Sequence, residues 1–224
     1  MAKTYVIGDI HGCYQAFKEL WSKISPVSGD DTVVFLGDYI DRGPESRQVV
    51  EMILAIRKKL PVITLLGNHE QMLLNFMEGR AESPFLAVGG AQTLVSYGLN
   101  PHSRERLILP QEHEDFFRYL LPFWQNKDAI YVHAGLMPSR PLALQPKSWL
   151  LWARDEFFAS DYDFGKPVIY GHTPLNEPRI EHHRIGIDTG AVYGGQLTCL
   201  VLPDLEFIQV SSDQFWPPGE SLGA

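Results

Sequence analysis

Five times in this chain a short apolar run, rich in β-branched and aromatic residues, stops at a cluster containing Asp, Asn or His. Thr4–Ile7 meets Gly8-Asp9-Ile10-His11-Gly12, and Thr32–Leu36 meets Gly37-Asp38-Tyr39-Ile40-Asp41-Arg42-Gly43. Pro61–Leu66 meets Gly67-Asn68-His69-Glu70, Ala129–Val132 meets His133-Ala134-Gly135, and Pro167–Tyr170 meets Gly171-His172-Thr173-Pro174. Runs of this kind read as buried strands. Ligands of α/β sheets bind beyond the carboxyl ends of strands, so the five clusters predict one shared site.

The intervening segments supply helices. Phe17, Leu20, Trp21 and Ile24 recur at helical spacing, and Pro26 with Gly29 closes that helix. Pro44 and Glu45 open a second helix, whose face is Val49, Val50, Ile53, Leu54 and Ile56, and Pro61 stops it. A third runs from Gln71 to Glu78. The order β-α-β-α-β with short loops predicts an α/β fold with helices packed on a largely parallel sheet.

Residues 79–126 differ. Gly89-Gly90, Gly98, Pro101 and Pro110 break them into short helical pieces, which could cap the site. Phe116, Phe117, Leu120 and Leu121 fall at helical spacing, and core packing is their first reading, with an apolar wall beside substrate as the lesser one. Arg179–His182, Arg184–Ile187, Leu197–Leu202 and Leu205–Val210 alternate like an antiparallel meander. Trp216-Pro217-Pro218-Gly219 reads as an irregular tail. No linker or repeat interrupts residues 1–224, so a single domain is expected.

Composition narrows the function classes. The net charge is −8 with no Lys/Arg run, which argues against nucleic-acid partners. The two cysteines, Cys13 and Cys199, form no CxxC pair. No apolar stretch approaches the ~20 residues a membrane span needs, and no signal peptide is expected, so the cytoplasm is the expected location.

Asp, Asn and His together make a mixed oxygen and nitrogen donor set that suits manganese, iron, zinc or cobalt better than calcium. Six donors (Asp9, His11, Asp38, Asn68, His133, His172) are too many for one ion with an open position and suit two ions sharing a carboxylate. Two ions ~3.5–4 Å apart can grip a phosphate ester and activate a water. Arginine matches the charge on the phosphate oxygens, and a histidine can protonate the leaving oxygen.

On these residues the chain resembles the phosphoprotein phosphatase family of calcineurin-like metallophosphoesterases. Asp9-Ile10-His11-Gly12, Gly37–Gly43 and Gly67–Glu70 are similar to its three signature motifs, and the clusters at His133 and His172 to its later ligand motifs. The resemblance implies a four-layer α/β fold, a central β-sandwich of two mixed sheets flanked by helices. It implies that Asp9, His11 and Asp38 hold one divalent ion, and that Asp38 bridges to a second held by Asn68, His133 and His172. Manganese is the first expectation, with iron, zinc or cobalt also accepted.

The same resemblance gives His69 as general acid oriented by Asp41, with Arg42 and Arg154, the latter in Leu151-Trp152-Ala153-Arg154, on the phosphate alongside Asn68. A hydroxide bridging the ions would attack phosphorus directly. Asp41, Glu70 and Thr173-Pro174 take the form seen in compact bacterial and bacteriophage-lambda type serine/threonine protein phosphatases. A phosphorylated protein is therefore the first expected substrate. Symmetrical diadenosine tetraphosphate hydrolysis is the alternative, resting on Asp188-Thr189-Gly190 and Gly194–Leu200. Broad phosphomonoesterase activity and a non-catalytic metal-binding module follow.

Among remaining residues, Asp188 reads as a turn or supporting residue, and His102, His113, His182 and His183 as surface or structural. Cys13 reads as packing with redox sensitivity as a lesser reading. Tyr39 and Tyr193 either line the site or pack.

Overall fold

The computed structural model describes residues 2–24, 29–80, 82–102 and 107–212. Pro26 and the segment Trp216–Gly219 lie outside them. The first half alternates as expected: β1 (Thr4–Ile7), α1 (Tyr14–Ile24), β2 (Thr32–Phe35), α2 (Ser46–Arg57), β3 (Val62–Thr64) and α3 (Asn68–Met77). Strands β1, β2 and β3 pair in parallel.

Residues 79–126 contain α4 (Glu82–Phe85), a π-helical turn Leu86–Gly90, α5 (Ala91–Ser96), α6 (Gln111–Arg118) and β4 (Phe123–Gln125). Then come β5 (Ile130–Val132), α7 (Lys147–Trp152), α8 (Asp155–Phe158), β6 (Val168–Tyr170), β7 (Arg179–Glu181), β8 (Arg184–Gly186), β9 (Gln196–Leu202) and β10 (Glu206–Ser211).

Two five-stranded mixed sheets result, ordered β10-β9-β1-β2-β3 and β4-β5-β6-β8-β7. The last four strands are not one meander. β7 and β8 are antiparallel, but β8 lies parallel to β6 in the second sheet, while β9 returns antiparallel to β1 in the first. Strand patterning shows where a run is extended, and the chain crosses between sheets because each offered an open strand edge. β4, inside the segment read as helical, was also missed, since three residues carry too little period to register.

Alternation along the strands builds the layers. Val6, Val34, Leu36, Leu65, Tyr131, Ile169, Leu200 and Leu202 point into a core between the sheets. Their neighbours Tyr5, Ile7, Val33, Phe35 and Val201 face a second core under α1, α2 and α3. Ile130, Val132, Val168 and Tyr170 face a third, under α7 and α8. Helices therefore cover both outer faces of a β-sandwich, as the resemblance implied.

Segment 79–126 contributes to the helical layer on the first sheet. Leu94, Leu107, Leu109, Phe116, Phe117 and Leu120 are buried in the core there, the first reading of the α6 aromatics. The carboxyl ends of β1, β2, β3, β5 and β6 gather at one edge of the sandwich.

Candidate metal centre

Backbone hydrogen bonds lace the first two loops together. The N–H groups of Ile10 and His11 donate to Asp38 O at 3.0 and 2.8 Å, Gly12 N–H donates to Tyr39 O at 2.9 Å, and Gly43 N–H donates to His11 O at 3.0 Å. Gly171 N–H donates to His133 O at 2.8 Å and joins the loops of the second sheet. The lacing holds His11, Asp38, Asp41, Arg42 and His172 at positive φ, between 47° and 71°. Each such non-glycine residue costs on the order of 1–3 kcal/mol, a cost that concentrates at functional sites.

Asp38 lies at the middle. Its Oδ2 is 3.4 Å from His11 Nε2 and 3.9 Å from His69 Nε2, while its Oδ1 is 3.4 Å from His133 Nε2. The two oxygens of one carboxylate thus face two sets of imidazoles. Donor atoms of His11, Asp38 and His69 lie within 4.8 Å of one another, as do those of Asp38, His133 and His172.

At one point two acceptors meet with no proton between them. His133 Nδ1–H donates to Leu36 O at 3.0 Å, so Nε2 carries a lone pair, and it meets Asn68 Oδ1, another acceptor, at 2.8 Å. Asn68 Oδ1 is also 3.0 Å from His172 Nδ1. His11 Nδ1–H donates to Ile40 O at 2.8 Å, turning its Nε2 lone pair toward Asp38. Asp9 Oδ2 accepts from His172 N–H at 2.9 Å, but its buried Oδ1 has no partner.

Glycine makes room for both carboxylates. A Cβ at Gly171 would collide with Asp9 Oδ1, and one at Gly67 with Asp38 Oδ1. Convergent lone pairs, an orphaned carboxylate oxygen and space kept by glycine fit divalent metal ions. Of the ligand set expected from the sequence, His11 and Asp38 come together with His69, and Asp38 also with His133 and His172; Asn68 Oδ1 lies between His133 and His172, and Asp9 meets the His172 backbone N–H.

Burial lowers the imidazole pKa values of His11 and His133 and takes that of His172 down to about 3. Neutral imidazole is the form that ligates metal. Burial, with Asp188 and Asp38 close by, pushes Asp9 well above its usual range. Burial also raises Asp38, but the imidazoles of His133, His69, His11 and His172 outweigh it and hold that carboxyl low.

Behind the donors are two fully buried carboxylates. His69 Nδ1–H donates to Asp41 Oδ2 at 2.7 Å. Thr93, in α5, donates its hydroxyl to Asp41 Oδ1 at 2.6 Å, and Asp41 N–H donates to Thr93 Oγ1 at 2.9 Å. Ser46 Oγ lies 3.1 Å from that hydroxyl. Burial pushes the Asp41 carboxyl up, and the hydrogen bonds from His69 and Thr93 oppose the shift. Glu70 accepts from three backbone groups, Asp38 N–H at 2.9 Å, Tyr39 N–H at 2.8 Å and Gly67 N–H at 3.1 Å. Thr93 escaped the sequence reading because it lies in a segment without a motif, and only the fold brings it to Asp41.

The arginines reach the same place. Arg42 Nη1 donates to His11 Nε2 at 2.6 Å, and Arg154 Nε to His172 Nε2 at 3.4 Å. The Arg42 guanidinium lies over the Tyr193 ring, 5.5 Å from its centroid, so Tyr193 belongs at the site. Tyr39 does not: it is buried and donates its hydroxyl to Leu65 O at 2.7 Å. Asp188 is buried, accepts from Gly190 N–H at 3.0 Å, and is raised by burial to about 6.

His113 is also buried, its Nδ1 2.8 Å from the Tyr97 hydroxyl, a structural pairing. Burial pushes the Cys13 thiol up to about 12, which favours packing over thiolate chemistry. No helix among the described residues is long and apolar enough to cross a membrane.

The model of the calcineurin-like phosphoesterase family matches residues 2–195, and the chain belongs to that family. It is 32% identical to the asymmetrical bis(5'-nucleosyl)-tetraphosphatase PrpE of Bacillus cereus (strain Q1), across 94% of each chain. Among solved structures, it is similar to a protein assigned provisionally as a diadenosine tetraphosphatase (TM-score 0.76, 24% identity, 94% of this chain and 93% of that one). It is also similar to the cold-active protein-tyrosine phosphatase of a psychrophilic Shewanella (TM-score 0.68, 17% identity, 95% and 78%). These structural likenesses bear on the fold alone.

Two predictions follow from this geometry. Glu70→Ala strands three buried N–H groups and should cost more than about 3 kcal/mol in chemical denaturation, with weakened metal retention; a loss under about 1 kcal/mol would show that the loops hold without it. The second concerns acid. In chelator-treated protein, the unfolded His172 imidazole protonates near its ordinary 6.5 and the folded one only near 3. Between these values the unfolded state binds the extra proton, so this group removes stability as pH falls. His172→Gln should therefore lose less stability than the parent between pH 7 and pH 4, measured as denaturation midpoints, and matching slopes would contradict the shift.

Proposed function

We propose that this chain is a metal-dependent hydrolase of dinucleoside polyphosphates, cutting a bis(5'-nucleosyl) tetraphosphate asymmetrically into a nucleoside triphosphate and a nucleoside monophosphate. The observation that carries this reading is the likeness to a tetraphosphatase of that specificity over 94% of each chain. In this reading protein dephosphorylation comes second, and asymmetrical cleavage takes the place of symmetrical.

In this reading the motifs that favour a protein substrate are poor guides to substrate. Asp41 and Glu70 are fully buried, and Thr173 Oγ1 is closed off from solvent. Glu70 ties backbone and Asp41 orients His69. Such groups shape the site without touching what enters it.

In this reading Asp9, His11 and Asp38 hold one cation, and Asp38, Asn68, His133 and His172 the other, with manganese the expected ion. Cations bound there supply Lewis-acid charge to phosphate oxygens and an activated water near neutral pH. Arg42 and Arg154 present guanidinium groups to the charge that builds on phosphorus, with Arg42 steadied by the Tyr193 ring. Protonated on both nitrogens, His69 would give its Nε2 proton to the leaving oxygen while Nδ1–H stays on Asp41. Thr93 fixes the carboxylate that fixes His69.

A polyphosphate leaves as a stable anion, whereas an alkoxide must be protonated. His69→Asn should therefore lower turnover of an alkyl phosphate roughly 10²–10⁴-fold and that of the tetraphosphate far less. Equal losses would remove His69 from proton donation. Thr93→Val should lower kcat with metal content retained, and Thr93→Ser should restore it.

The substrate reading is tested by product analysis with added manganese, diadenosine tetraphosphate and a phosphoserine peptide being run side by side with chelator controls. ATP and AMP in equal amounts are expected. Two ADP would overturn the regiochemistry, and a higher kcat/KM on the peptide would overturn the substrate class.

A further inference from the structure

Beside the metal centre lies a cavity of about 310 Å³ lined by Ser148, Trp149, Trp152, Arg154, Asp155 and Glu156. We propose that it is the subsite for one nucleoside of the substrate, the one attached to the phosphorus that is attacked. This inference rests on the dinucleotide reading above.

The cavity has two ends of different chemistry. At the inner end, Arg154 Nε reaches His172 Nε2 at 3.4 Å, and the Trp152 indole meets the His172 ring edge to face, with centroids 5.9 Å apart. A phosphate at the metal centre would sit beside this end. At the outer end Asp155 and Glu156 are exposed, and neither makes an ion pair among the described residues. Two unpaired carboxylates repel further phosphates. They accept hydrogen bonds from neutral donors, such as the hydroxyls of a ribose or the amine of a base.

The lining also holds two indoles, Trp149 half-buried against the core under α7 and α8, and Trp152 exposed. Trp149 and Trp152 are three residues apart in α7, so they share a helix face. Trp152 is 48% exposed, a large aromatic area left to water within reach of the site. A planar base stacked there would cover it, and base-on-aromatic stacking tolerates any base. A cavity of this size suits a base with its sugar and is small for a folded partner.

Position sets the regiochemistry. Trp152 lies two residues from Arg154 and touches a candidate ligand, so a base stacked on it is one sugar away from the reacting phosphate. The attacked phosphorus is then the one carrying that nucleoside. Water oxygen bonds to it, and the bridge to the next phosphate breaks. The nucleoside triphosphate leaves with the electron pair, and the water proton passes to solvent. Cleavage between the two middle phosphates would put the base a further phosphate out, beyond the indoles.

The test begins with adenosine, which carries no phosphate, titrated into the chelator-treated full chain. Saturable quenching of tryptophan fluorescence is expected, with none from ribose 5-phosphate, and absence of adenosine quenching overturns the subsite. Kinetics follow with manganese. In Trp149→Leu, and separately in the surface variant Glu156→Gln, the ratio of kcat/KM on diadenosine tetraphosphate to that on p-nitrophenyl phosphate should fall, about tenfold for the tryptophan. An unchanged ratio in both variants overturns the proposal. Quenching by a lysine-rich phosphopeptide in place of adenosine also overturns it and assigns the cavity to a basic side chain. A protein that binds adenosine but leaves the tetraphosphate intact contradicts the proposed reaction and retains the subsite, so the two failures are separable.

Discussion

Buried negative charge is the constraint on which this molecule is arranged. Asp9, Asp38, Asp41, Glu70 and Asp188 are all at most 5% exposed, and they lie at the ends of neighbouring strands. An unpaired buried carboxylate is costly, so each must be compensated. Glu70 is compensated by three backbone N–H groups, and Asp41 by His69 and Thr93. Asp38 Oδ1 accepts from the His69 backbone N–H at 3.2 Å. Asp9 alone among these keeps a fully buried oxygen with no partner among the described residues.

The fold follows from putting such a centre where water is excluded. Strands buried on both faces cannot hold unpaired charge, which is why the five runs carry no charged residue before their final glycine or histidine. Polar chemistry can begin only where the strand ends. The loops must then turn sharply to aim several side chains at one point, and the left-handed backbone of His11, Asp38, Asp41, Arg42 and His172 is the local cost.

Much of this was legible in sequence because strand, stop and donor coincide. Where the runs Thr4–Ile7, Thr32–Leu36, Pro61–Leu66, Ala129–Val132 and Pro167–Tyr170 end, donors follow, and the α/β order of the first half needs no tertiary knowledge. The remainder was hidden for physical reasons. The edge strand β4 is three residues long, and the choice of sheet by β8 and β9 depends on which edges stood open. Thr93 acts on a residue 52 positions away, and nothing local marks it. Substrate preference is not legible there, because residues such as Glu70 carry information about architecture.

The donors also come from both halves of the sandwich. Asp9, His11, Asp38 and Asn68 follow strands of the first sheet, and His133 and His172 follow strands of the second. A direct tie between a second-sheet donor and first-sheet backbone is His133 Nδ1–H donating to Leu36 O. A cation held between them would bind the docked sheets and not the separated ones, so its binding energy would add to the cohesion of the sandwich. Metal supply in the cell would then set how long the folded chain survives as well as how fast it works. Starvation for the ion would show first as accelerated turnover of the protein, through opening of the seam between its two sheets.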